Sequence, residues 1–197
     1  MKILAFTDPH GSRAALRKVG EKAPKADLII CPGDLTMFGE DADDLLSEMN
    51  SWGKPILLVP GNHEEHFDLK QLCTGFKNIF EIDREFYTKG DLLVAGYGRG
   101  GFSHETPEFE VFGRQIKRKV KEHQGPWILL LHQPPFGTNV DRLSFGHVGN
   151  ETFSAFIAEA QPTLVLCGHL HENFKKEDML GKSRILNPGP DGVFLDL

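Results

Sequence analysis

The chain has 197 residues, of which 40 % are hydrophobic and 25 % charged, with a formal net charge of −6. That balance excludes collagen-like and disordered classes, and a mild acidic excess offers no electrostatic footprint for wrapping nucleic acid. The length suits one packed domain over residues 1–197 rather than two.

No run approaches the roughly 20 apolar residues of a membrane helix. The start, Met1-Lys2-Ile3-Leu4-Ala5-Phe6, passes into Thr7-Asp8 without the apolar length or small-residue cleavage site of a signal peptide, so a cytoplasmic location is expected. The three cysteines, Cys31, Cys73 and Cys167, lack CxxC spacing, which argues against a disulfide framework or a zinc finger. Cys31 and Cys167 end apolar runs and are expected as buried thiols.

In chain order, apolar runs at 2–7 and 27–31 read as strands covered on both faces. Leu45, Leu46, Met49 and Trp52 then form a helical stripe behind the acidic opening Asp41-Ala42-Asp43-Asp44, whose charge suits a helix N-terminus. Strands follow at 56–59 and 92–95, the latter running into a Gly-rich loop at 96–101. Phe109, Phe112, Ile116 and Val120 mark an amphipathic helix whose basic residues, from Arg114 to Lys121, read as a solvated face. After a strand at 127–131, Asn150 caps a helix with the stripe Phe153, Phe156, Ile157 and Ala160. Strands at 163–167, 184–186 and 193–197 complete the series. Strands alternating with helices imply an α/β layer architecture, with no repeat and no linker.

Metal-binding residue types follow five of these runs: Asp8-Pro9-His10, Gly33-Asp34, Gly61-Asn62-His63-Glu64, His132, and Gly168-His169-Leu170-His171. Taken singly, each has an ordinary reading as a turn residue or a satisfied histidine. Together they stand where open α/β sheets gather their sites, at the carboxyl ends of strands, and they have the composition of a metal centre. Imidazoles, carboxylates and one amide, without thiolate, suit manganese first, with iron, nickel or zinc as alternatives. Seven donors exceed one tetrahedral ion, whereas two divalent ions about 3.5–4 Å apart sharing a carboxylate account for them.

In these five ordered blocks, Asp-x-His, Gly-Asp, Gly-Asn-His-Glu, His and Gly-His-x-His, the sequence resembles the calcineurin-like metallophosphoesterases from Asp8 to His171. Asn187-Pro188-Gly189 and Gly146-His147-Val148-Gly149 are similar to segments of the small single-domain prokaryotic branch. The resemblance implies a four-layer α/β/β/α sandwich, the metallophosphoesterase fold. It implies that Asp8, His10 and His171 bind one metal, that Asn62, His132 and His169 bind the other, and that Asp34 bridges them. It makes His63 the catalytic residue, assisting the leaving group, with Glu64 supporting the site from behind. A bridging hydroxide attacking phosphorus in line is the expected chemistry, and a small phosphate ester the expected partner.

Where the family's protein phosphatases continue Gly-Asp with a second Asp and an Arg, this chain has Leu35-Thr36-Met37-Phe38-Gly39, and Glu65-His66 follow Gly-Asn-His-Glu where those enzymes place another Arg. Without guanidinium clamps for a dianion, a phosphodiester is favoured over a phosphomonoester or phosphoprotein. Arg99 reads as a surface residue, His147 is open between a site role and none, and His66, His104 and His123 read as surface or helix residues. The rival readings are a non-catalytic metal-binding scaffold, opposed by the complete ligand set, and a nuclease, opposed by the short acidic chain.

Overall fold

The apolar runs become the central strands of two sheets in the computed structural model, which describes residues 1–197. The elements in the first half are β1 (Lys2–Ala5), α1 (Arg13–Lys22), β2 (Leu28–Cys31), α2 (Ala42–Ser51), β3 (Ile56–Leu58), α3 (Leu69–Cys73), β4 (Ile79–Glu81), β5 (Glu85–Lys89) and β6 (Leu92–Tyr97). In the second half they are α4 (Phe109–Glu122), β7 (Trp127–Leu131), β8 (Arg142–Leu143), β9 (Gly146–His147), α5 (Glu151–Ala160), β10 (Leu164–Leu166), β11 (Glu177–Leu180), β12 (Ser183–Leu186) and β13 (Val193–Asp196). One sheet runs β13-β1-β2-β3-β4 and the other β11-β12-β10-β7-β6-β5. Within them β1 to β4 are mutually parallel, as are β12, β10, β7 and β6, and the antiparallel strands β13, β11 and β5 lie at edges.

Strand alternation sorts the side chains into layers. Ile3, Ala5, Ile30 and Leu57 of the first sheet meet Val94, Ile128, Leu130 and Leu166 of the second in an inner core. Leu4, Ile29 and Leu58 point the other way, onto Leu16 and Val19 of α1 and Leu45, Leu46 and Met49 of α2. Leu129, Leu131 and Val165 likewise cover Phe109, Phe112 and Ile116 of α4 and Phe153, Phe156 and Ile157 of α5. These three cores make the α/β/β/α sandwich, and the central strands, buried on both faces, read as unbroken apolar runs for that reason.

Asn150 caps α5 as expected, accepting from the Phe153 N–H at 3.2 Å. The expected basic face of α4 is exposed from Arg114 to Lys121 apart from Ile116 and the half-buried Val120, with Lys117 paired to Glu159. All three cysteines are buried and free. No helix is long and apolar enough to cross a membrane.

The differences lie at the margins of the sheets. Strands β4, β5 and β11 are not apolar runs, because edge strands are covered on fewer sides and tolerate residues such as Glu85, Lys89 and Glu177. The run at 92–95 extends through Gly96 and Tyr97, which pair with Leu130 and Leu131, so the Gly-rich loop begins at Gly98. Helix α1 was not legible because its buried stripe is only Ala15, Leu16 and Val19. A surface pocket of about 610 Å³ lies between α4 and α5 and is lined by none of the site histidines.

Leu130 is fully buried between the sheets. Leu130→Ala is expected to destabilise the fold by about 2–5 kcal/mol, lowering the urea midpoint while leaving the denaturant slope unchanged.

Candidate metal centre

Every expected site residue stands just beyond the carboxyl end of a parallel strand: Asp8 and His10 after β1, Asp34 after β2, Asn62 and His63 after β3, His132 after β7, and His169 and His171 after β10. The loops of the two sheets are stitched together there. His169 N–H donates to both Asp8 oxygens, at 2.9 and 3.1 Å, and Arg99 N–H donates to the Pro60 carbonyl at 2.6 Å.

Three groups of donor atoms converge, each with its atoms within 4.8 Å of one another: Asp8, His10 and His171; His10, Asp34 and His63; Asp34, His132 and His169. Asp34 belongs to two of them. Its Oδ1 accepts the His63 N–H at 2.9 Å. Its Oδ2 is left facing His132 Nε2 at 3.5 Å, His10 Nε2 at 3.6 Å and His63 Nε2 at 3.9 Å. Asn62 Oδ1 lies 3.1 Å from His132 Nε2 and 3.0 Å from His169 Nδ1, and His10 Nε2 lies 3.0 Å from His171 Nε2.

The tautomer of His132 tests whether these atoms suit a cation. Its Nδ1 faces the Pro32 carbonyl at 3.0 Å. A carbonyl can only accept, so the proton sits on Nδ1 and the Nε2 lone pair points at the Asn62 and Asp34 oxygens. Lone pairs aimed at one another repel unless a cation lies among them. Burial, reinforced by repulsion from neighbouring imidazoles and opposed by Asp34, pushes His10 and His169 down to about 4, so both are neutral donors at neutral pH. Burial also raises the Asp8 carboxyl. The donor set fits divalent metal ions.

Holding these groups in place strains the backbone. Asp8, His10, Asp34 and His169 adopt φ of 52°, 45°, 50° and 69°, in the left-handed region. Such residues cost of order 1–3 kcal/mol each and persist where surrounding contacts fix them. Here Asp8 N–H donates to the Gly33 carbonyl and His10 N–H to that of Asp34, both at 3.1 Å, continuing the β1–β2 pairing past the strand ends. The motif glycines make room for the carboxylates. A Cβ at Gly61 would collide with Asp34, and one at Gly168 with Thr7 and Asp8.

Glu64 ties the β2 and β3 loops together from behind. Its fully buried carboxylate accepts from Asp34 N–H at 3.0 Å, Gly61 N–H at 2.9 Å, Thr36 N–H at 2.9 Å and the Thr36 hydroxyl at 2.7 Å. Burial, aided by the nearby Asp34 charge, raises its pKa against the hydrogen bonds from Thr36 and Gly61. Asn187 does similar work on the last loop. It is fully buried, donates to the Leu170 carbonyl at 3.2 Å and accepts from Gly189 N–H at 3.1 Å. Its motif was visible in the sequence, but its partners were not.

Other residues fall outside the cluster. Arg99 is held by Asp83 at 3.5 Å and by the Glu65 carbonyl at 3.3 Å. His147 is oriented by the buried Asp141 at 2.7 Å, and no hydrogen bond links it to the centre. His66 and His104 are exposed, and His123 caps α4. Sequence reasoning missed the ring stacked on His63, that of Phe38, with centroids 4.1 Å apart. An exposed aromatic flanked by Gly39 in a loop was its only signal.

Glu64→Gln keeps the shape but sets an amide NH₂ against N–H donors, and is expected to cost about 2–4 kcal/mol of stability and to weaken metal binding. Urea denaturation with and without metal measures both. The metal-free protein should also be acid-sensitive. His10 and His169 titrate near 4 when folded and at the ordinary 6.5 when unfolded. Below pH 6.5 the unfolded chain takes up protons that the native state refuses, so stability falls as pH drops towards 4 and is level with respect to these groups above 6.5. A pH series of urea titrations in chelator checks the direction.

Comparison with known proteins bears on the family and the fold. The profile of the calcineurin-like phosphoesterases matches residues 1–173. A 3',5'-cyclic-nucleotide phosphodiesterase of Nostoc sp. is 25 % identical over 177 residues, covering 83 % of this chain, which spans 63 % of that relative's length. A probable cyclic nucleotide phosphodiesterase of Rhodopseudomonas palustris is 22 % identical over 200 residues, covering 87 % of this chain and 72 % of its own. In fold, the chain is similar to the TT1561 protein of Thermus thermophilus, with a TM-score of 0.76 at 24 % identity, covering 95 % of this chain and 88 % of that one. The phosphopantetheinyl hydrolase of Mycobacterium tuberculosis superposes with a TM-score of 0.63 at 14 % identity, again over 95 % and 88 %. With the profile running unbroken from the first strand through the last pair of histidines, the chain belongs to the calcineurin-like phosphoesterase family.

Proposed function

We propose that this protein hydrolyses phosphodiesters at a centre of two divalent metal ions, manganese being the first choice. The observation that carries the reading is the convergence of donor atoms from both sheets around Asp34 Oδ2. Asp8, His10 and His171 would hold one ion, Asn62, His132 and His169 the other, with Asp34 between them. Two ions so placed would supply Lewis acidity at the phosphoryl oxygens and a water acidified enough to attack at neutral pH.

The chain's own residues set the rest. The Pro32 carbonyl fixes the His132 tautomer, Glu64 holds the Asp34 and Gly61 backbones, and Asp8 is anchored by the His169 N–H. His63 keeps its Nδ1 free of partners and its Nε2 beside the centre, so it can donate a proton to the leaving oxygen.

A diester is favoured because the centre is poor in cations. Arg99 is committed to Asp83 and the Glu65 carbonyl, and no Lys or Arg hydrogen-bonds or ion-pairs with the cluster. A monoester dianion would lack the bidentate clamp that arginine provides, whereas a singly charged diester needs less. The names of the two phosphodiesterase relatives support the same choice.

His63→Ala is expected to retain both metals and lower turnover of bis(p-nitrophenyl) phosphate by roughly 10²–10⁴-fold, while His169→Ala loses metal as well. Metal analysis beside kinetics separates the two, and equal metal loss in both variants would make His63 a ligand. Chelation should abolish activity and manganese restore it. A fully loaded protein inactive on every ester would favour the scaffold reading.

A further inference from the structure

Two phenyl rings at the centre are not accounted for by packing. Phe38 is 64 % exposed and Phe102 65 % exposed, and neither belongs to the three cores or to the side chains packed against them. Phe38 lies on the His63 imidazole, centroids 4.1 Å apart and planes 20° from parallel, and borders an open groove shared with Asp41, His66 and Phe67. It holds that position at φ 52°, a strained conformation for a bulky residue. Phe102 stands edge-on to His169, with centroids 4.6 Å apart. The two rings therefore lean on different histidines of one centre: His63, grouped with His10 and Asp34, and His169, grouped with Asp34 and His132.

A phosphodiester carries two organic substituents, and a phosphorus seated at this centre has an apolar ring beside each of these histidines. We propose that Phe38 and Phe102 receive those two substituents, and that the natural substituents are planar aromatic rings such as nucleobases. Phe38 serves the leaving side, because it stacks on the group that protonates the leaving oxygen; this assignment rests on the diesterase reading above. Phe102 serves the group that stays on phosphorus. Stacked and edge-on geometries favour π-systems over alkyl groups of equal area. Neither ring offers a hydrogen bond, so the walls accept many kinds of ring and read none by its edge.

Three esters sharing one leaving ring test the assignment on the metal-reconstituted full chain: bis(p-nitrophenyl) phosphate, methyl p-nitrophenyl phosphate and p-nitrophenyl phosphate. Phe38→Ala should lower kcat/KM on all three by about 5–20-fold, with KM rising and Phe38→Trp restoring it. Phe102→Ala should lower kcat/KM for the bis-aryl ester about tenfold more than for the methyl ester, since only the former keeps a ring on phosphorus. Equal losses on both esters in Phe102→Ala would overturn the proposal. So would a Phe38→Ala loss confined to kcat, which would make that ring only a prop for His63.

A binding arm stands apart from turnover. Calorimetry on the metal-loaded protein should show diphenyl phosphate binding about 5–20-fold more tightly than dimethyl phosphate, a preference lost when both rings are removed. Equal affinity overturns the walls. A retained preference with no hydrolysis of any ester overturns the diesterase reading and leaves the walls standing.

Discussion

The carboxylate of Glu64 is the constraint on which the centre depends. It is removed from water and answers three backbone N–H groups and one hydroxyl drawn from the loops after β2 and β3. A carboxylate accepting this many hydrogen bonds repays its desolvation only when all of them form together, so the loops are fixed jointly or not at all. Asp34 and Asn62 therefore take their positions from a residue that itself touches none of the convergent donor atoms.

Around that clamp the sandwich works as a positioning device. Parallel strands bring backbone ends level along one edge of each sheet, and the inner core sets the distance between the two edges. Donors from one sheet then meet donors from the other at hydrogen-bond range, as Asn62 meets His132 and His169. The left-handed backbone at Asp8, His10, Asp34 and His169 turns the side chains inward at the moment each strand ends. The strain is tolerated because the adjoining amides remain paired and the neighbouring glycines carry no Cβ.

The electrostatics of the centre follow from burial. His10 and His169, packed among other imidazoles away from water, stay neutral, which readies them for a cation. Arg99 is engaged by Asp83, and Phe38 and Phe102 stand exposed beside the histidines. It is on this scarcity of cations and these two exposed rings that the proposed preference for a diester rests.

The donor residues, their order and the central strands were legible in the sequence, because a strand buried on both faces must be an apolar run and a ligand must be a particular residue type. The Asp-x-His to Gly-His-x-His series needed no coordinates to stand out. Edge strands β4, β5 and β11 and the weakly striped α1 were not legible, since half-covered elements place few demands on composition. Only the tertiary structure decided that Glu64 serves two loops, that Arg99 is spent on Asp83, that His147 answers to Asp141, and that Phe38 lies on His63. Each of these is a contact between residues whose types permit many partners, and the choice among partners is made by the packing of two sheets, which no local pattern encodes.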